Sequence, residues 1–269
     1  MKVYTPKGYS NLTVVSVPPE EIADVGFGLC AQPRQTIDAW YRDQDDRPEV
    51  VSNGGFFDMT SGNAVGTVIV GRCTMSASRK VREGIGTVDG KSLLFGHSTE
   101  YRWKDFVAGF PVLIRAGQRE PVTMAKELNY RTRRTCLGFD AKGTVHLLCV
   151  ESPGMVFAAL QALLLKLGCV YAINLDGGGS TRLLIKGARK TRQTANRPVD
   201  TVFYIKLKFR PWAGTVTRSV LNVRSGPGPQ HTLLRVLPKG TQVTVQKEDS
   251  GWGLIGDGWV HLGFVRRKA

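Results

Sequence analysis

Short apolar runs separated by polar, glycine-rich breaks dominate the first 150 positions. Leu12-Thr13-Val14-Val15-Ser16-Val17, stopped by Pro18-Pro19, reads as a strand. Val50-Val51-Ser52 enters Asn53-Gly54-Gly55, and Phe56-Phe57-Asp58 closes that turn. Gly66 to Arg72 reads as a short strand between glycines. Gly86 to Lys91 reads as a hairpin turning at Asp89-Gly90. In Gly109-Phe110-Pro111-Val112-Leu113-Ile114, Pro111 confines the strand to an edge or a strand start. Cys136-Leu137-Gly138-Phe139, the turn Asp140-Ala141-Lys142-Gly143 and the run Val145 to Val150 form a second hairpin pattern.

After Glu151-Ser152-Pro153 the period changes. Met155, Val156, Ala159, Leu160, Leu163, Leu164 and Leu167 recur at steps of three and four, which predicts a helix capped by Gly168. Cys169-Val170-Tyr171-Ala172-Ile173 then predicts a buried strand that runs into Asn174-Leu175-Asp176-Gly177-Gly178-Gly179-Ser180-Thr181. Strand, helix, strand is the order of a right-handed βαβ unit. If its two strands are neighbours, Glu151 and Asp176 share the carboxyl edge, where ligands bind in such sheets. Glu151 equally suits a helix start, where its charge complements the helix dipole.

The pattern changes again near Lys208-Phe209-Arg210-Pro211-Trp212. Residues 213–269 alternate short Val-rich runs with turns and show no helical period, which predicts a small β-barrel. The expected class is therefore α+β. A mixed β-sheet domain containing the βαβ unit spans 1–212, and the barrel spans 213–269.

Charge narrows the partners. The 269 residues carry a net +15, of which +5 lies in 213–269, and the pI is about 9.9. Such a surface favours an anionic polymer or a phosphate-bearing substrate. No nucleic-acid motif and no basic helix accompany it, so nucleic acid is not the expected partner. Five cysteines without a CxxC pair argue against zinc and for reduced thiols. The N-terminus has no apolar core of a signal peptide. Met155 to Leu167, the longest apolar stretch, is too short to span a bilayer. The expectation is synthesis in the cytoplasm, release by lysis or another exit route, and no membrane partner.

Candidate chemistry centres on the triglycine stretch. Three glycines let the backbone turn sharply and approach a ligand closely. Asp176, Gly177, Gly178, Gly179 and Ser180 together suit a sugar or a phosphate, and a polar turn capped by Asp and Ser explains the same residues. His97, His146, His231 and His261 show no nucleophile–base or metal-ligand spacing, and His146 reads as structural.

Two resemblances add to this reading. Leu221-Asn222-Val223-Arg224-Ser225-Gly226-Pro227, Leu237-Pro238-Lys239-Gly240-Thr241, Gly251-Trp252 and Gly258-Trp259-Val260 resemble a bacterial SH3 domain. That resemblance implies a module that binds bacterial cell-wall material. Five further pieces resemble, in family order, the phosphodiester glycosidase family. They are Asn53 to Asp58, Gly109 to Leu113, Arg134-Thr135-Cys136-Leu137-Gly138, Asn174 to Ser180, and Arg197-Pro198-Val199. The chain departs from the family pattern at Cys136, at Glu151-Ser152-Pro153 and at Asp200. Residues 1–49 match little of it.

The second resemblance implies hydrolysis of a sugar-1-phosphodiester at the anomeric carbon. Asp176 is then the carboxylate that stabilises an oxocarbenium-like transition state. Arg134 is the phosphate-binding arginine, beside Thr135, because a planar guanidinium matches phosphate oxygens in pairs. Asp58 and Glu151 are the remaining catalytic candidates. Asn53, Gly54 and Gly55 are placed to meet sugar hydroxyls. The reaction requires no cofactor. A divalent cation such as calcium fits the oxygen-rich set Asp58, Asp176, Asn53 and Asn174. The implied partner is an anionic wall glycopolymer such as teichoic acid, or peptidoglycan, in the manner of a phage lysin. The alternative is a wall or sugar-phosphate binding protein without turnover.

Overall fold

The computed structural model describes residues 1–30, 34–122, 129–192 and 196–268. Twenty-five strands and two α-helices lie among the described residues, so the chain is mostly β and the expected α+β class is not found. It divides into two compact units, Met1–Leu207 and Lys208–Ala269. Trp212 belongs to the second unit, because the strand Trp212–Val216 pairs with Gln242–Val245.

The first unit holds three antiparallel sheets. The seven-stranded sheet runs in the order Lys2–Tyr4, Leu12–Val17, Val145–Met155, Thr132–Asp140, Cys169–Asn174, Val112–Arg115 and Gln118–Arg119. The second has five strands: Ala188–Arg189, Leu183–Ile185, Val50–Asn53, Thr201–Leu207 and Ile22–Leu29. The third runs from Cys73–Ser76 through Val68–Val70, Asp105–Ala108 and Glu83–Thr87 to Leu94–His97. One core draws on all three, with Val15, Leu137, Leu147 and Ile173 from the first sheet, Val50 and Phe203 from the second, and Ile85 and Val107 from the third.

Strand alternation sends neighbouring residues to opposite faces. Val14, Cys136, Leu148 and Val150 therefore leave that core and pack against the helix Phe157–Lys166 through Phe157, Leu160 and Leu164. The central strands are apolar on both sides because both faces are covered. The helix begins at Phe157 rather than Met155, which ends the preceding strand. Gly168, with φ +80°, follows its last turn. A short helix, Ile37–Arg42, covers the outer face of the second sheet with Ile37 and Trp40. The Thr36 hydroxyl caps it by accepting from the Ala39 N–H at 3.2 Å.

The strand–helix–strand segment does not build a parallel pair. Val145–Met155 and Cys169–Asn174 run in the same direction, but Thr132–Asp140 lies between them and pairs antiparallel with both. Two strand spacings are about 10 Å, and a ten-residue helix is about 15 Å long, so the helix readily crosses one intervening strand. The strand through Glu151 also runs on to Met155, past a register shift opposite Thr132 and Arg134. Gly154 permits this, because a Cβ there would lie 2.2 Å from the Thr132 backbone. One consequence matters for the site. The carboxyl ends of two strands and the amino end of the strand between them meet at a single edge.

The second unit is two antiparallel sheets, of three and five strands, and no closed barrel forms among the described residues. Val216, Leu221, Val223, Val245 and Val260 fill its core. All five cysteines are free. Burial pushes the Cys136 thiol up to about 12, which leaves it inert. No helix among the described residues is long and apolar enough to cross a membrane.

Leu137 is fully buried in the central strand of the first unit. Leu137→Ala should destabilise that unit by about 2–5 kcal/mol. Because each unit has its own core, the second should keep its stability. Hydrogen exchange on the full chain, resolved by peptide, reads both at once, and equal loss of protection in the two units would show that they unfold together.

Candidate active site

The common edge carries the loop after Cys169–Asn174. Its main chain is held from three directions. The Leu175 N–H donates to the Thr135 carbonyl at 2.8 Å, the Asp176 N–H to the Gly54 carbonyl at 3.1 Å, and the Asn53 side-chain amide to the Asp176 carbonyl at 2.7 Å. The Asn53 side-chain oxygen accepts from the Thr135 hydroxyl at 2.8 Å and from the Arg182 N–H at 3.3 Å. Asn53 ends a strand of the second sheet and Thr135 lies in the first, so one amide joins two sheets beneath the loop. Both residues are fully buried. They hold Asp176 in place from below.

Gly54 and Gly55 serve the same framework. The Gly54 N–H donates to the Thr201 carbonyl at 2.8 Å and the Gly55 N–H to the Thr201 hydroxyl at 2.9 Å. A Cβ on Gly54 would lie 2.5 Å from that hydroxyl oxygen, and one on Gly55 would lie 2.7 Å from Val107. Nothing in the local sequence points to Thr201, which is more than 140 residues away.

The Asp176 carboxylate accepts from the Gly177 N–H at 2.8 Å. Burial raises its pKa above the ordinary value, opposed by the Ser180 hydroxyl, the Gly177 amide and the charge of Arg197. Ser180 lies beside the carboxylate, although its buried hydroxyl completes no hydrogen bond of full geometry. The three glycines do different work. A Cβ on Gly177 would lie 2.6 Å from the Arg133 carbonyl oxygen. Gly178 takes φ +56° with open space above it. Gly179 has the Arg197 guanidinium packed on it, so a Cβ there would lie 2.4 Å from a terminal guanidinium nitrogen.

Arg134 has a different setting from the one expected. It is 5% exposed, with its guanidinium 4.2 Å over the Phe157 ring and 5.7 Å from that of Tyr130. It donates to the Tyr130 carbonyl at 2.8 Å and to the Met155 carbonyl at 3.4 Å. Burial lowers its pKa. The strand register explains this, since Arg134 points to the helix-covered face and Thr135 to the sheet interface. Arg134 thus ties the helix start to the site edge.

Glu151 is drawn into main-chain pairing. Its N–H donates to the Asn11 carbonyl at 2.7 Å, its carbonyl accepts from the Asn11 amide at 2.9 Å, and its carboxylate accepts from the Arg192 N–H. Asp58 is exposed and organises its own turn, accepting from the N–H groups of Ser61 at 2.6 Å and Thr60 at 3.0 Å. The Ser61 N–H bond is the main cause of its lowered pKa. Asn174 bonds the Phe110 carbonyl at 2.9 Å. Asp58, Asp176, Asn53 and Asn174 therefore have separate duties. Among the described residues, no three His, Cys, Asp or Glu side chains cluster as metal ligands. His146 lies within its strand, 2.9 Å from the Ser16 hydroxyl.

Arg197 is the residue of this edge that reasoning from sequence left out of the site. The signal was its place before Pro198, but its position on Gly179 depends on tertiary structure.

Residues 46–206 match the family model described as phosphodiester glycosidase, and residues 219–266 match that of the bacterial SH3 domain. The chain is 30% identical over 186 residues to the human N-acetylglucosamine-1-phosphodiester alpha-N-acetylglucosaminidase, an alignment covering 60% of this chain and 36% of the relative. The bovine protein of the same name is 30% identical over 191 residues, with the same coverage. The chain thus spans about a third of the length of these curated relatives. Among solved structures, the zebrafish enzyme's catalytic domain, auto-inhibited by its pro-peptide, superposes with a TM-score of 0.60 at 18% identity, covering 76% of this chain and 86% of that one. A hypothetical protein from Synechocystis gives 0.63 at 15% identity, covering 77% and 61%. Both share the fold.

Two outcomes follow from the geometry. Asn53→Ala should destabilise the first unit by on the order of 3 kcal/mol, because it strands buried polar groups on Thr135, Arg182 and Asp176. Denaturant unfolding measures this, and a near-neutral change would show that the amide is not the tie. Asp176 binds its proton more tightly folded than unfolded. Its contribution to stability therefore falls as pH rises from the ordinary carboxyl value of 3.8 through the raised one. Asp176→Asn should gain stability relative to wild type across that window, and a pH-independent difference would refute the buried-charge assignment.

Proposed function

Because the chain belongs to the phosphodiester glycosidase family, we propose that it hydrolyses a glycosyl phosphodiester at the anomeric carbon, on a bacterial wall polymer that its SH3 unit holds. The observation that carries this reading is the Asp176 carboxylate, half-buried on a main chain fixed by Asn53 and Gly54, in a loop opened by Gly178. Hydrolysis breaks the bond between the anomeric carbon and the phosphate oxygen. Water supplies the new hydroxyl of the sugar, its remaining proton passes to solvent, and a phosphomonoester departs on the other alcohol. Positive charge develops on the sugar ring as that bond lengthens, and an ionised carboxylate beside it lowers the barrier. The phosphomonoester leaves as a weak base, so a protein acid is not needed.

Low dielectric around Asp176 strengthens its field at the ring but favours the neutral acid. The Gly177 amide, Ser180 and Arg197 hold it charged. The relatives' names support an N-acetylglucosamine 1-phosphodiester as the first substrate to test. The basic charge and the SH3 unit support an anionic wall polymer such as teichoic acid, reached after release from the producing cell as a phage lysin is. Linking a binding unit to the enzyme raises its concentration at the polymer.

Incubation with purified walls and with an N-acetylglucosamine 1-phosphodiester should release free sugar and a new phosphomonoester in equal amounts. Asp176→Asn should lower kcat/KM by more than about a thousandfold. The wild-type kcat/KM should rise with pH through a pKa above the ordinary carboxyl value, because Asp176 acts ionised. Binding to walls without product release would identify a binding protein instead. Turnover unaffected by Asp176→Asn would place the chemistry elsewhere.

A further inference from the structure

The loop that carries Asp176 also seats a cation. The terminal and inner nitrogens of Arg197 and its central carbon lie between 2.3 and 2.7 Å from where a Cβ of Gly179 would be. A guanidinium fits flat on this glycine and would fit on no other residue there. Backbone conformation does not explain the glycine, since Gly179 is not among the positive-φ residues, whereas Gly178 is. Arg197 is half-buried, and its charge reaches Asp176, whose acidity it increases.

Three other arginines near this edge, Arg134, Arg182 and Arg131, have partners of their own. Arg134 is stacked under the helix and donates to two carbonyls. Arg182 is buried in an ion pair 2.5 Å from Asp38. Arg131 donates to the Gly154 carbonyl at 3.3 Å. Arg197 instead sits on the rim of the triglycine turn, next to the open space over Gly178.

Resting on the reading of a glycosyl phosphodiesterase, we propose that Arg197 binds the leaving phosphate and that Gly179 is conformationally replaceable but sterically required as its seat. The sugar ring lies toward Asp176, and the phosphate lies over Gly178 against the guanidinium fork. A planar guanidinium holds two phosphate oxygens at once and stabilises the charge that collects on them as the glycosidic bond breaks. The same cation keeps Asp176 ionised while the phosphate is being placed.

The test compares a phosphodiester with a 4-nitrophenyl glycoside of the same sugar, whose leaving group has no phosphate. Arg197→Ala should lower kcat/KM for the phosphodiester by about a hundredfold and for the aryl glycoside by less than about fivefold, and Arg197→Lys should fall between. Gly179→Ala should reproduce the Arg197→Ala pattern, because it pushes the guanidinium off the turn. Equal losses on both substrates would overturn the proposal and make Arg197 a positioning residue for Asp176. Unchanged phosphodiester turnover would also overturn it.

Calorimetry with N-acetylglucosamine 1-phosphate separates this proposal from the reaction it rests on. If the wild-type protein turns over neither substrate, tenfold weaker binding in Arg197→Ala still supports the phosphate seat, and undiminished binding rejects it.

Discussion

The side-chain amide of Asn53 is the constraint on which the rest of this edge depends. It donates to one loop and accepts from a second strand and from the residue after Thr181. A buried amide has four hydrogen-bonding positions and is costly to leave unpaired. With Asn53 in the second sheet and Thr135 in the first, it ties the two sheets together beneath the loop. Asp176 inherits that precision through its main chain. Positioning from rigid elements is what a site needs when small displacements cost rate.

A framework this rigid also tolerates unfavourable charge. The Asp176 carboxyl is kept where burial opposes its ionisation. Arg134 is likewise buried, and the rings of Phe157 and Tyr130 and two carbonyls replace its water. Cation–π contact is worth most when it is desolvated in this way. The two ions differ in consequence. Arg134 is enclosed and anchors the helix, whereas Asp176 is only half-buried and is bonded by the Gly177 N–H.

The glycines show the same division between fold and site. Gly54, Gly55 and Gly154 are needed because other backbone or side-chain atoms stand where a Cβ would go. Gly178 is needed for its left-handed backbone and also leaves room above it. Gly179 makes space for an arginine rather than for a turn. A run of three identical residues thus meets three physical requirements, two set by the neighbours Arg133 and Arg197 and one by the backbone itself.

Local pattern determined the strands around Leu12–Val17, Val145–Val150 and Cys169–Ile173, the helix before Gly168, a break near Lys208–Trp212 and the place of a carboxylate, Asp176, after a buried run. Those features follow from periodicity, turn residues and a carboxylate after a buried run, all of which act over a few positions. The spatial order of the strands was not legible, because inserting Thr132–Asp140 between the two strands joined by the helix depends on which strand is apolar on both faces. The roles of Asn53, Thr135, Arg134 and Arg197 were not legible either. A motif names the residue but not the face it occupies. Tertiary structure turned Arg134 under the helix, buried Asn53 beneath the loop and brought Arg197 onto Gly179. Each result is set by partners far away in the chain, which become neighbours only when the sheets pack.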